Sequence, residues 1–214
     1  MIATMSRRVS RAERDVARFD AWSERYDASY LQRALFDPVQ ARVVEAAREA
    51  APGARSILDV GCGTGRLLLR LGEAFPAARL TGIDPAPGMA RTAGHRDGIT
   101  AVVGAAERLP LRAGSVDLVV TTMSFHHWAD QRLGLAEVRR VLVPGGHLLL
   151  ADAFATAWLR PALALVRARS RFHTGPELDD MLAGAGLSPV RRHPVPGLWG
   201  AVTVSVAVAP IRGG

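Results

Sequence analysis

The 214-residue chain contains no lysine and no asparagine, so all 27 of its cationic side chains are arginine. The codons of both missing residues are A/T-rich. A G/C-rich coding sequence therefore explains their absence better than selection for guanidinium chemistry. The formal net charge is +7 and the pI about 11.1. The arginines are nevertheless spread along the chain rather than gathered into a stripe, which argues against nucleic acid as a partner. A single cysteine, Cys62, excludes an intramolecular disulfide framework. No Cys/His spacing resembles a zinc site, so no metal is expected. Long apolar runs are also missing. The longest uncharged ones, residues 141–151 and 201–211, are too short for a membrane span, and glycine or proline interrupts each. The first residues lead into alternating basic and acidic positions with no apolar segment typical of a secretion signal. A cytoplasmic protein without stable membrane insertion is the expectation.

What is present is globular: 49% hydrophobic and 22% charged residues, in a chain long enough for one compact domain. Residues 6–50 have helical periodicity, and Asp37-Pro38 reads as a helix start, a capping carboxylate followed by proline. From Ser56 the pattern changes to short apolar runs at 56–60, 79–83, 99–103, 117–121 and 147–152, alternating with helical segments near 65–75, 87–95 and 130–142. Apolar strands separated by helices predict a parallel sheet covered on both faces. At the C-terminus Val202, Val204, Val206 and Val208 alternate with smaller residues. That period of two predicts a half-exposed antiparallel strand.

The first strand runs into Gly61-Cys62-Gly63-Thr64-Gly65 and then a helix with Leu67, Leu68, Leu69 and Leu71. Glycines let the backbone turn sharply and let a ligand approach closely, and the following helix presents free N–H groups to an anion. A dinucleotide fingerprint needs its third glycine where this chain has Arg66. Asp59 precedes the loop and could meet an ammonium group. Asp84 ends the second strand, where a carboxylate can accept two hydrogen bonds from a ribose diol. Together these features suit a nucleoside carrying an amino-acid head.

Asp59-Val60-Gly61-Cys62-Gly63-Thr64-Gly65 resembles motif I of the class I S-adenosylmethionine-dependent methyltransferases. Gly104–Leu111, Gly114–Val119, Ser124-Phe125-His126-His127-Trp128, Arg139–Leu142 and Pro144-Gly145-Gly146 are similar to later motifs of that family, in the same order, and the likeness covers residues 56–152. It is strongest with the small-molecule branch that includes quinone-type methyltransferases. Trp22–Asp27 resembles the element that caps the cofactor there. The resemblance implies an α/β, Rossmann-like fold: a seven-stranded, mostly parallel sheet with helices on both faces, the last strand antiparallel, and an N-terminal helical cap. Residues 1–54 would form the cap and 55–214 the core, with a substrate-facing insert at about 153–174.

The resemblance also implies roles. Gly61, Gly63 and Gly65 would line the methionine part of S-adenosylmethionine, and Asp59 would stand near its ammonium group. Asp84 would hold the ribose hydroxyls. Met89, Leu109 and the Ala106 N–H would meet the adenine, Thr122 would line the cofactor site, and Tyr26 would act as a lid. The family often has Asp where this chain has Ala105, which leaves adenine recognition to backbone and packing, or to Glu107 turned inward. His126 or His127, after the fourth strand, is the candidate base. The expected partner is a small aromatic or aliphatic acceptor, and the expected assembly a monomer or homodimer. Cys62 reads as a packed residue rather than a nucleophile. Alternative readings are a nicotinamide-dependent oxidoreductase, which Arg66 disfavours, and a non-catalytic cofactor-binding protein, which Ala105 keeps open.

Overall fold

The computed structural model describes residues 10–26, 30–153, 172–196 and 202–211, with the side chains of 24–26 and 30–35 outside the description. Trp158, Trp199 and nearly all of the expected insert lie outside the described residues.

Two N-terminal helices, α1 (Arg11–Tyr26) and α2 (Tyr30–Ala50), precede β1 (Ser56–Val60), α3 (Arg66–Ala74), β2 (Arg79–Asp84), α4 (Pro87–Gly94) and β3 (Ile99–Val103). Then come β4 (Val116–Thr122), a 3₁₀ turn at Phe125–His127, α5 (Gln131–Val141) and β5 (Leu142–Ala153). Helix α6 (Gly175–Gly184), β6 (Ser188–Pro194) and β7 (Val202–Val208) complete the described fold. The seven strands form one sheet in the order β3-β2-β1-β4-β5-β7-β6. The first five strands pair in parallel, and β7 runs antiparallel to both β5 and β6. The expected mostly parallel sheet with an antiparallel last strand is therefore present. Strand order reverses between β1 and β4, and in such sheets ligands bind outside the carboxyl ends of the strands at that switch.

Side-chain alternation divides the core into two layers. Ile57, Leu118, Val120 and Leu149 face one way and pack with Val39, Val43, Ala46 and Ala47 of α2 and Leu67, Leu68 and Leu71 of α3. Leu58, Val119, Leu148 and Leu150 face the other way and meet Leu135 and Val138 of α5 and Leu178 and Leu182 of α6. Each fully buried leucine contributes about 1.5–3 kcal/mol.

Two local expectations need correction. Asp37-Pro38 does not start a helix, because Pro38 lies inside α2. Asp37 instead accepts from Arg66 (2.6 Å) and Arg70 (2.8 Å) of α3, so tertiary ion pairing uses the carboxylate that looked like a cap. The start signal that does operate in the cap is at Ser10: its Oγ accepts from the Glu13 N–H, and Glu13 accepts from the Ser10 N–H. Finally, β7 is not half-exposed. It lies between β5 and β6, and Ser205 and Ala207 are small enough to be buried on the second face. The exposed position belongs to the edge strand β6, with its Pro189 and arginines.

Candidate active site

The glycine loop is fixed by its own backbone. The N–H groups of Gly61 and Cys62 both donate to the Ile83 carbonyl, at 2.7 and 3.1 Å. Gly61 has φ +76°, and a Cβ there would lie 1.8 Å from Ser124 Oγ. Only glycine lets the loop after β4 pass so close. Gly65, at φ +79°, caps α3 and packs against Ala93 of α4.

Asp84 is held at both oxygens. Oδ2 accepts from the Gly63 N–H and Oδ1 from the Ala86 N–H, each at 2.9 Å. Burial raises its pKa, opposed by these two hydrogen bonds. Asp59 is in a different state. It is 1% exposed, and its Oδ1 has no hydrogen-bond partner among the described residues. Burial first, and the neighbouring Asp84 second, push its pKa up to about 8. The region thus holds two carboxylates, one with an oxygen that has no partner among the described residues. Cys62 is buried, and burial pushes its thiol far up, so it stays protonated as a packed residue.

A cleft runs across the carboxyl ends of the central strands. Its widest part, about 370 Å³, lies under α1 and is lined by Phe19, Asp84, Ala105, Ala106, Glu107 and His127. It continues as a space of about 90 Å³ beside Phe36, Met89, Thr122 and Met123. It ends in one of about 50 Å³ between Gln40, Asp59 and Gly63. Gly61 borders all three spaces. A larger, open groove of about 590 Å³ between α5 and α6 shares none of the glycine-loop residues, so size alone does not identify the site. At the cleft, Met123 adopts φ 50°. This left-handed conformation is uncommon outside glycine and marks the turn that aims the next loop.

That loop carries two imidazole–carboxylate pairs. His126 Nδ1 lies 2.8 Å from Asp152 Oδ1, and the His126 N–H donates to Asp152 Oδ2 at 3.0 Å. Asp152 is 2% exposed and also accepts from the Ala153 N–H. The His126 ring packs on Phe172, with centroids 4.6 Å apart. His127 Nδ1 lies 2.9 Å from Asp15 Oδ2 on α1. Burial, and then the adjacent His126, lower the His127 pKa; Asp15 opposes this.

The cleft brings together Asp59, Gly61, Gly63, Asp84, Met89, Ala106, Thr122 and His127. Gly65 and Leu109 do not line it. Leu109 is buried in the core, with its N–H donating to Glu137 at 2.9 Å. His126 does not line it either and faces Phe172. The Tyr26 side chain is outside the described residues. Glu107 borders the cleft, while its Oε1 accepts from the Asp130 N–H at 2.9 Å. Sequence reasoning missed Asp15, Phe19, Gln40 and Asp152. An acid near the end of strand five was a readable signal for Asp152, whereas the cap residues Asp15, Phe19 and Gln40 are tied to the site only by distant contacts.

Comparison with known proteins gives a consistent identification. The methyltransferase domain family matches residues 58–150. Over 134 residues the chain is 40% identical to a malonyl-[acyl-carrier protein] O-methyltransferase from Hahella chejuensis, covering 61% of this chain and 46% of that protein. It is 34% identical over 173 residues to a ubiquinone/menaquinone biosynthesis C-methyltransferase from Syntrophotalea carbinolica, covering 77% and 71%. The chain spans about half the length of the malonyl-[acyl-carrier protein] relatives it matches, 46%, 56% and 49% for three of them. A methyltransferase structure from Aquifex aeolicus shares the fold, with a TM-score of 0.67 at 19% identity, covering 91% of this chain and 98% of that one. The chain belongs to the class I S-adenosylmethionine-dependent methyltransferases.

Proposed function

We propose that this protein transfers a methyl group from S-adenosylmethionine to a small aromatic or aliphatic acceptor whose nucleophilic atom loses a proton. The observation that carries the cofactor assignment is the single cleft joining Asp59, Asp84 and the Ala105–Glu107 segment. The unpartnered Asp59 oxygen suits an ammonium group. Asp84 retains lone pairs for ribose hydroxyls beyond its two backbone hydrogen bonds. Ala105 and Ala106 leave a flat apolar wall for adenine. Bound there, S-adenosylmethionine supplies a methyl group on a positively charged sulfur, ready for an aligned lone pair. The protein aligns the acceptor and excludes water, for which α1 serves as a roof.

The acceptor class rests on the His127–Asp15 pair, because His127 is the imidazole that lines the cleft. A Nδ1–H donated to Asp15 leaves Nε2 as the proton acceptor. The proton that the acceptor loses on taking the methyl group passes to His127 Nε2. Relatives are named for methylating malonyl-[acyl-carrier protein] and for ubiquinone/menaquinone biosynthesis. A carboxylate acceptor is already ionised at neutral pH and gains nothing from a base. A hydroxyl or activated ring carbon does gain, so the pair favours acceptors of that second chemistry.

The test is transfer of a labelled methyl group to quinol and phenol acceptors and to a malonyl thioester, followed by His127→Ala. Loss of a general base typically costs about 10²–10⁴-fold in rate. The reading expects that loss in turnover with a much smaller effect on S-adenosylhomocysteine binding. Transfer to the malonyl thioester alone, untouched by His127→Ala, would contradict the acceptor class.

A further inference from the structure

The narrow end of the cleft contains a second unpaired acceptor. Gln40, on α2, is 7% exposed, and its Oε1 is buried without a hydrogen-bond partner among the described residues. It lines the same space of about 50 Å³ as Asp59, whose Oδ1 is also buried and unpartnered. Arg66 borders this space, but its guanidinium is committed to Asp37 at 2.6 Å. A buried acceptor with no donor is destabilising, so two on residues that line one space are a standing penalty unless a ligand brings the donors. The donor group must be small enough for that space, carry several N–H bonds, and be positive to balance Asp59.

We propose that Gln40 is a specificity residue for the amino-acid head of the cofactor, accepting a hydrogen bond from its ammonium group together with Asp59. This rests on the methyltransferase reading above and adds a contact from the N-terminal cap. Gln40 then makes the cap part of the cofactor site: α2 supplies one acceptor and β1 the other, with the ammonium between them. A nucleoside without the amino-acid head would not meet Gln40.

The experiment is calorimetric titration of wild type and Gln40→Met with three probes, alongside thermal melting without ligand. The probes are S-adenosylhomocysteine, its decarboxylated analogue, which keeps the amine, and 5′-methylthioadenosine, which has no amino-acid head. Methionine keeps the length and removes the polar atoms. The proposal expects affinity for the first two probes to fall about tenfold or more, as for a hydrogen bond to a charged group, with methylthioadenosine affinity unchanged within about twofold. It also expects the unliganded melting temperature to hold or rise, because an unsatisfied acceptor has been removed. Equal weakening of all three probes, unchanged binding, or a lower melting temperature would overturn it, the last by giving the Gln40 amide a structural partner. Failure of wild type to bind S-adenosylhomocysteine would overturn the methyltransferase reading as well. Binding of that probe equally by both proteins would overturn the Gln40 assignment alone.

Discussion

Asp15 on the first helix and His127 after the fourth strand are joined across the cleft, with Oδ2 and Nδ1 2.9 Å apart. Phe19, one turn further along that helix, meets the same imidazole edge-on with centroids 5.3 Å apart. Asp20 accepts from the Gly88 N–H at the start of α4. The roof of the cleft is therefore fastened at one end to the catalytic-side loop and at the other to the helix beside Asp84.

This latch should respond to pH. The His127 pKa is depressed below its ordinary 6.5 by burial and by His126. Between that depressed value and 6.5 the unfolded chain binds more protons than the native one, so stability present above about pH 6.5 is lost as pH falls through the folded pKa. The protection factors of the α1 amides, that is exchange relative to the intrinsic rate at each pH, should fall on acidification from pH 7 to 5. His127→Gln should flatten that dependence, and an unaltered profile in this variant would assign the pH response to another group.

Asp59 carries the opposite sign. Its pKa is raised to about 8, so the native state binds more protons than the unfolded chain between about pH 4 and 8, and stability falls as pH rises through that window. Asp59→Asn should melt at least about 2 °C higher than wild type at pH 8.5, given about 2–4 °C per kcal/mol for a domain of about this size. The same variant should bind S-adenosylhomocysteine more weakly. A gain in stability without loss of affinity would separate Asp59 from the ligand.

Asp15→Asn should lower kcat far more than it weakens S-adenosylhomocysteine binding. An asparagine can present its N–H₂ to His127 Nδ1 and favour the tautomer with the proton on Nε2, which cannot accept another. Turnover against pH, measured with a phenolic acceptor, checks this: the acidic limb attributed to His127 should disappear in the variant.

Gly61→Ala should destabilise the protein by about 1–3 kcal/mol from the positive φ alone. The added Cβ would also collide with Ser124, 1.8 Å away. Denaturant unfolding of Gly61→Ala, Ser124→Gly and the double variant separates the two effects. The double variant should recover the part due to the collision and retain the part due to the backbone.

Much of the cofactor half of the site could be read in order along the chain. Val60–Gly65 and Asp84 are short-range signals, since a strand end and its following loop are contiguous and their chemistry is local. The roof was less legible. Asp15 and His127 are 112 residues apart, and nothing in an amphipathic helix tells which carboxylate will find an imidazole. Gln40 stands among the apolar positions of α2, where periodicity reports burial and not the lack of a partner. Asp37 was misread because a capping carboxylate and an ion-pairing one look alike until α3 is in place. Strand β6 offered no alternation to detect, because edge exposure leaves its pattern to Pro189, Arg191 and Arg192.

The most direct test of the account is calorimetric titration of S-adenosylhomocysteine into the wild-type protein and Asp84→Ala. Asp84 lies at the centre of the cleft, with two backbone N–H groups fixing its carboxylate. Hydrogen bonds to a charged group are worth about 1.5–3 kcal/mol each. The account predicts binding to the wild-type protein and at least about tenfold weaker binding to the folded variant. No binding to wild type, or the same dissociation constant in a folded Asp84→Ala protein, would contradict it.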